Sequence, residues 1–308
     1  MSGLALLFPG QGSQEPGMLA LAEGHPAGAE ALRAAEAVLG APPAAILRRG
    51  GAEPFRNAVA QPLVVAAQLA TWAALREALP APALLLGYSV GELAAHGAAG
   101  TFAPGAAVAL AARRAELMDA ACPGPAGLLG LRGLPAARLE ALAAATGSEV
   151  AIVNGPDHCV LGGPVPALEE AARRAAAAGA TTVQRLPVAV PAHTRLLAGA
   201  VAPFARALAA AGPRAPAVPV LAGVSGEPVR SAAGAVESLS RQVAQRLEWG
   251  RCLAVAAELG CTVLLELGPG TALARMAREA LPGAAVRAVA EFRSAAGVAR
   301  WVEGRLGA

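Results

Sequence analysis

The chain has 308 residues, of which 55% are hydrophobic, 3% aromatic and 15% charged, with a formal net charge of +3. That is long and apolar enough for one large domain, or a large domain carrying a smaller one. The small, scattered positive charge argues against a nucleic-acid surface, while leaving room for a local basic patch facing an acidic protein or a phosphorylated cofactor. Every basic side chain is arginine; there is no lysine.

Cys122, Cys159, Cys252 and Cys261 lie far apart, without C-x-x-C or ligand-like histidine spacing. That is the usage of reduced thiols in a cytoplasmic protein, not of a zinc site or a disulfide framework. The apolar run Leu4 to Phe8 ends at Pro9-Gly10, too short for a signal peptide. Leu93 to Ala112 is uncharged and as long as a membrane span, but it holds His96, Gly97, Gly100, Pro104 and Gly105 and reads as helix, turn and helix inside a core.

In chain order, a strand at Leu4–Leu7 leads into the turn-rich Phe8-Pro9-Gly10-Gln11-Gly12-Ser13-Gln14. Helical patterns cover Ala29–Leu39 and Pro62–Ala78, followed by a short apolar strand at Ala83–Leu86. Gly87-Tyr88-Ser89-Val90-Gly91 comes next, and Glu92 to His96 opens a helix. Ala106–Ala120 is helical. From Gly127 to Val188 the pattern becomes strand, helix, two strands joined at Gly155-Pro156-Asp157, helix and strand. That βαββαβ order is the ferredoxin-like arrangement, expected as a small domain at 125–189 inserted into a large domain of 1–124 and 190–308. Beyond it, a helix follows Pro191-Ala192-His193-Thr194, a strand spans Val218–Ala222, and helices lie near Ser238–Gln245 and Cys252–Leu259. The strand Thr262–Glu266 and the helix Thr271–Ala280 close the pattern. Strands alternating with helices on both sides of the insertion predict an α/β fold with a mainly parallel sheet.

The chemistry-bearing stretch is Gly87-Tyr88-Ser89-Val90-Gly91. A serine on a sharp strand-to-helix turn, a hydrolase-like nucleophile elbow, needs small residues two before and two after it, because strand and helix pass too close for a Cβ. The turn also aims the first helical N–H groups at the reaction centre. A serine hydroxyl needs a base, and the chain has four histidines: His25, His96, His158 and His193. His96 is seven residues past Ser89, roughly 10 Å along a helix and out of hydrogen-bonding reach. His25 sits in a polar surface stretch and His158 in the hairpin of the small domain, which leaves His193 as the base. Asp119 and Asp157 are the only aspartates between Ser89 and His193, and neither follows a strand of the large domain. An ordinary esterase triad is thereby disfavoured.

The ordered set Phe8 to Gln14, Gln61-Pro62, the serine turn followed by Glu92, Arg114 with Met118 four residues on, Asn154, His193 and Glu266-Leu267-Gly268-Pro269-Gly270 resembles the malonyl-CoA:acyl carrier protein transacylases over essentially the whole chain. The resemblance implies Ser89 as the acylated nucleophile, His193 as its base and the backbone N–H groups of Gln11 and Val90 as the oxyanion hole. It implies Arg114 as the partner of the malonyl carboxylate, Gln61 and Asn154 as supporting residues, and the backbone carbonyl of Glu248 as the acceptor that orients His193. Tyr88 and Val90 flank the serine where the family usually has histidine and leucine, and in this the chain is similar to the transacylase (epsilon) subunit of malonate decarboxylase. Ala192 stands where malonyl-specific members often have phenylalanine. The partners so implied are malonyl-CoA and an acyl carrier protein, with no nucleic acid and no membrane, and with no metal or other cofactor. Arg195, Arg275 and Arg287 are candidate docking residues for an acidic carrier.

Overall fold

The computed structural model describes residues 3–307. Its strands are β1 Gly3–Phe8, β2 Leu84–Gly87, β3 Ala126–Arg132, β4 Glu149–Gly155, β5 His158–Pro164, β6 Thr182–Arg185, β7 Val220–Leu221, β8 Pro228–Val229, β9 Leu247–Glu248, β10 Cys261–Glu266 and β11 Ala285–Ala288. Six of them form one sheet in the order β11-β10-β1-β2-β7-β8 and five form a second in the order β6-β3-β5-β4-β9.

The first sheet is parallel from β11 through β7, and only β8 runs antiparallel, at its edge. Its central strands are nearly continuous leucine and valine runs, such as Leu84-Leu85-Leu86 and Val263-Leu264-Leu265, all buried. A parallel strand covered by helices on both faces has no solvent side, so its sequence loses the alternation of a half-exposed strand. Helix Asn57–Leu75 packs against helices Ala29–Leu39 and Pro104–Ala121 over this sheet. That helix is also the one stretch among the described residues long and apolar enough to cross a membrane by length and composition; 72% of it is buried inside the fold.

The second sheet is built mainly from the segment between Ala126 and Arg185, with β3–β5, β3–β6 and β4–β5 antiparallel. Helices Ala136–Thr146 and Val165–Ala177 pack on it around a separate cluster that includes Leu129, Leu131, Leu139, Leu161 and Leu168. The fifth strand, β9, comes from much later in the chain and joins β4 in parallel, with Ile152 opposite Leu247 and Val153 opposite Glu248.

Several boundaries differ from the sequence expectations. The helix expected from Pro62 begins at Asn57 and carries Pro62 inside it. Proline's preference for a first helical turn is outweighed here by burial of most of the helix. The helix expected near Ser238–Gln245 lies at Ala232–Arg241, where Ser231 accepts a cap bond from Gly234 N, so Gln242–Ala244 form the turn after it rather than its body. Helices Pro43–Arg49 and Ala295–Leu306 and the short strands β8, β9 and β11 were not anticipated.

Candidate active site

β1 and β2 run side by side, with Phe8 opposite Gly87, and both chains leave the sheet at the same end. This carboxyl end of a parallel sheet is where α/β folds gather their ligand-binding loops. The turn between β2 and helix Gly91–Ala98 passes so close to its neighbours that a Cβ on Gly87 would lie 2.1 Å from Glu92 Cα, and one on Gly91 2.0 Å from Phe8 O. Only glycine fits at either position. Ser89, between them, is held at φ 56° in the left-handed region. Among the described residues the only other non-glycine there is His193, at φ 64°.

The structure brings these two residues together. Ser89 Oγ donates to His193 Nε2 over 2.8 Å. His193 is almost wholly buried, and burial together with the nearby Arg114 guanidinium lowers its pKa to about 3. A neutral imidazole at physiological pH can accept the serine proton.

The carbonyl that orients His193 is not that of Glu248. His193 Nδ1 donates to Gln242 O at 2.5 Å, and His193 N donates to Val243 O at 2.9 Å. The physical reason lies in the helix boundary: the helix stops at Arg241, and carbonyls beyond a helix end have no intrahelical partner and are free to accept. Glu248 instead sits in β9, where its N–H donates to Gly223 O and its carboxylate pairs with Arg246 at 2.7 Å.

Arg114 is buried beside the serine. Its Nη1 donates to Gln61 Oε1 at 2.8 Å, its Nη2 to Gln242 Oε1 at 3.1 Å, and the same Nη2 lies 3.5 Å from Ser89 Oγ. Burial lowers its pKa to about 10 against the opposing pull of Glu92, so the guanidinium stays charged at neutral pH. Gln61 Nε2 in turn donates to Asn57 Oδ1, and Asn57 Nδ2 to Asp119 Oδ1, both at 2.8 Å. The charge is therefore held by neutral amide oxygens and keeps its capacity for an incoming carboxylate, a group whose geometry suits the guanidinium fork.

The space around these groups is an inner chamber of about 50 Å³ lined by Gln11, Ser89, Arg114, Met118, Val190 and His193 among others. Gly10, Gln11, Tyr88 and Leu186 also line an outer cavity of about 350 Å³, whose wall includes Arg132, Asn154, His158 and Arg275. Among the described residues the backbone N–H groups of Gln11 and Val90 make no backbone hydrogen bond, leaving both free at the mouth of the turn. Asn154 lies in the outer cavity, not beside the serine, and its Nδ2 donates to His158 Nε2 at 3.2 Å. Tyr88, the residue before the serine, packs edge-on against Trp249 with ring centroids 5.4 Å apart. Of the three candidate docking arginines, Arg275 lines the outer cavity, whereas Arg195 pairs with Glu149 and Arg287 lies over the Phe292 ring.

Gln242 is the functional residue that sequence reasoning missed. Its side-chain Nε2 donates to Glu92 Oε2 at 2.9 Å and to Ser89 O at 3.3 Å, while its main chain orients His193. No local motif marks it; only the three-dimensional return of the chain does.

Residues 5–300 match the acyl transferase domain family. The chain belongs to that family. It is 34% identical over 281 residues, 89% of this chain and 91% of the relative, to the malonyl CoA-acyl carrier protein transacylase of Salmonella typhimurium. The solved structure of the malonyl CoA-acyl carrier protein transacylase of Coxiella burnetii superposes with a TM-score of 0.91 at 26% identity, covering 99% of this chain and 98% of that one. A malonyl-transacylase solved in complex with a type II PKS acyl-carrier protein gives 0.87 at 30% identity, covering 94% and 96%. The chain is an acyltransferase enzyme with the α/β fold of these proteins.

Proposed function

We propose that this acyltransferase moves a malonyl group from malonyl-CoA to the thiol of an acyl carrier protein through a malonyl ester on Ser89. The observation that carries the reading is a charged guanidinium, Arg114, held 3.5 Å from the hydroxyl that His193 activates. An acyl group without a free carboxylate gives such a buried charge nothing to bind.

In the first half-reaction His193 Nε2 takes the Ser89 proton as Oγ attacks the thioester carbonyl. The N–H groups of Gln11 and Val90 stabilise the oxyanion, and the departing CoA sulfur takes the proton back from His193. In the second half-reaction the carrier thiol gives its proton to His193, attacks the serine ester and leaves as malonyl-carrier, while Ser89 recovers the proton. Written this way the exchange balances without a metal or redox cofactor.

The finer reading places the enzyme with malonate decarboxylase, whose dedicated carrier would be the acceptor; Tyr88 and Val90 beside the nucleophile support it. In the same reading the Ser89 turn is a hydrolase-like nucleophile elbow, supported by its left-handed serine between two obligatory glycines. The segment 125–189 is a ferredoxin-like insertion into a large domain of 1–124 and 190–308, supported by the strand order β6-β3-β5-β4. Asn154 serves the pantetheine-type arm from the outer cavity. Arg275 guides an acidic carrier to that mouth, with on-rates that fall as salt rises. Four free cysteines suit a reducing, cytoplasmic setting.

The test is intact-protein mass spectrometry after brief mixing with malonyl-, acetyl- and methylmalonyl-CoA, with and without purified carriers. The reading expects a malonyl adduct that Ser89→Ala abolishes and that the decarboxylase carrier discharges fastest. Faster discharge by a fatty-acid or polyketide carrier would move the enzyme to those pathways. Steady release of free malonate without any carrier would make it a thioesterase.

A further inference from the structure

Glu92 is fully buried one helical turn after Ser89, in the first turn of helix Gly91–Ala98, where the helix dipole favours an anion. Its carboxylate accepts from three groups: Gly223 N at 3.0 Å, Gln242 Nε2 at 2.9 Å and the hydroxyl of Ser238. It touches neither Ser89 Oγ nor His193, and the acyl-transfer chemistry above does not use it. Yet it stands directly behind the one side chain that links it to Arg114.

That link is an amide with two unlike ends. Gln242 turns its NH2 to Glu92 and its oxygen to Arg114. Reversing the amide would set a carbonyl against the carboxylate and N–H groups against the guanidinium, two repulsive contacts among buried groups. Above the pH of about 7 at which buried Glu92 ionises, neither end can choose alone: an ionised carboxylate accepts only and a guanidinium donates only. Arg114 therefore has an oriented, uncharged acceptor because Glu92 lies on the far side of it. Were the carboxylate in direct contact with Arg114, an ion pair would occupy the guanidinium and compete with a substrate carboxylate. One amide away, it fixes the guanidinium without neutralising it.

We propose that Glu92 is a positioning residue that sets the preference for a carboxylated acyl group by locking the Gln242 amide, and through it Arg114. This rests on the malonyl reading of Arg114. The bond that orients His193 comes from the Gln242 main chain, so loss of the amide's orientation leaves the Ser89–His193 chemistry in place. The effect falls on recognition of the acyl carboxylate and not on acyl transfer as such.

The experiment measures acylation of Ser89 by malonyl-CoA and by acetyl-CoA in wild type and three variants, with KM and kcat separated. Glu92→Gln can point its own NH2 at Gln242 and release the lock; hydrogen bonds to charged groups set the scale of the loss. The expected result is a rise in malonyl-CoA KM of about tenfold or more, with acetyl acylation changed by less than about twofold. Gln242→Met, which keeps the main-chain carbonyl and removes the amide, is expected to shift the malonyl-to-acetyl ratio the same way, and it decides the matter if Glu92→Gln does not fold. Ser238→Ala removes a buried hydrogen bond that favours ionised Glu92 but not the contact with Gln242. Assayed well above pH 7, where the carboxylate is ionised, it is expected to leave the ratio at the wild-type value. A purely structural role would instead lower malonyl and acetyl acylation by a common factor in all three variants; that result, or an unchanged ratio in Glu92→Gln and Gln242→Met, overturns the inference. A wild-type enzyme that malonyl-CoA does not acylate removes the malonyl reading itself, which the first arm of the same experiment reports separately.

Discussion

Ser89 and His193 occupy left-handed backbone conformations that cost a side-chain-bearing residue roughly 1–2 kcal/mol each. Strain of this kind persists where the surrounding structure over-determines it, which is common at reactive sites. Here it lifts the serine hydroxyl off the end of the sheet and turns the imidazole to meet it. Glycine at position 89 would adopt the same backbone without a Cβ penalty. Ser89→Gly and Ser89→Ala should therefore be equally dead in acylation, while Ser89→Gly unfolds at higher denaturant concentration, by about 1 kcal/mol. Equal stability of the two variants in urea would mean that the turn carries no strain. Arg114 offers a second test at this scale. If Arg114 is the charge partner of the acyl carboxylate, as proposed, its removal costs on the order of 3–5 kcal/mol, or roughly two to four orders of magnitude in rate. Arg114→Ala should lose malonyl acylation to that extent and keep or gain acetyl acylation, read from adduct formation on Ser89; equal loss of both would make Arg114 structural.

At the scale of elements, the site depends on how closely β1, β2 and helix Gly91–Ala98 approach one another. The contact of Gly91 with Phe8 O leaves no direction in which a methyl group could relax, because both partners are main chain. Gly91→Ala should fall in the rare class of substitutions costing more than about 4 kcal/mol, whereas Gly17→Ala, with nothing within 4 Å of the added Cβ, should leave the melting temperature nearly unchanged. A well-folded Gly91→Ala would show that the turn can open. This packing is also why the serine turn was legible in the sequence: close approach demands glycine at fixed positions, and glycine is visible. The apolar runs of β1, β2 and β10 were legible for a related reason, since burial on both faces forces them. The two-residue strands β8 and β9 left no such trace, because their pairing is set by neighbours and not by their own composition. The misplacement of the His193 acceptor at Glu248 has the same origin. A main-chain carbonyl carries no side-chain signature, and the family resemblance that supplied this acceptor set it six residues too late, at Glu248 and not Gln242.

Across the whole molecule, four buried titratable groups make stability depend on pH in opposing directions. Burial lowers His96 and His193 from 6.5 to about 3, so between those values the unfolded chain binds more protons and stability falls as pH falls. Burial raises Glu92 and Glu266 from 4.5 to about 7, so between those values the folded chain binds more protons and stability falls as pH rises. Each group contributes a slope of about 1.4 kcal/mol per pH unit within its window. Two histidines and two glutamates overlap between pH 4.5 and 6.5, and there their slopes nearly cancel. Below 4.5 only the histidines still differ, and stability should drop as the pH approaches 3; the exposed arginine–glutamate pairs add little to this. The melting temperature is therefore expected to be level from pH 4.5 to 6.5 and to fall steeply below. His96 takes no part in the chemistry; its Nδ1 bonds Thr101 Oγ1 at 3.1 Å and its Nε2 has no partner among the described residues. His96→Leu therefore removes one descending slope and one buried hydrogen bond, the latter lowering stability by a constant offset at every pH. In that variant the glutamates prevail across the middle window: stability should rise as pH is lowered from 6.5 to 4.5, and the acid drop should be shallower. A His96→Leu melting curve that runs parallel to wild type at every pH would show that His96 is not neutral in the folded core.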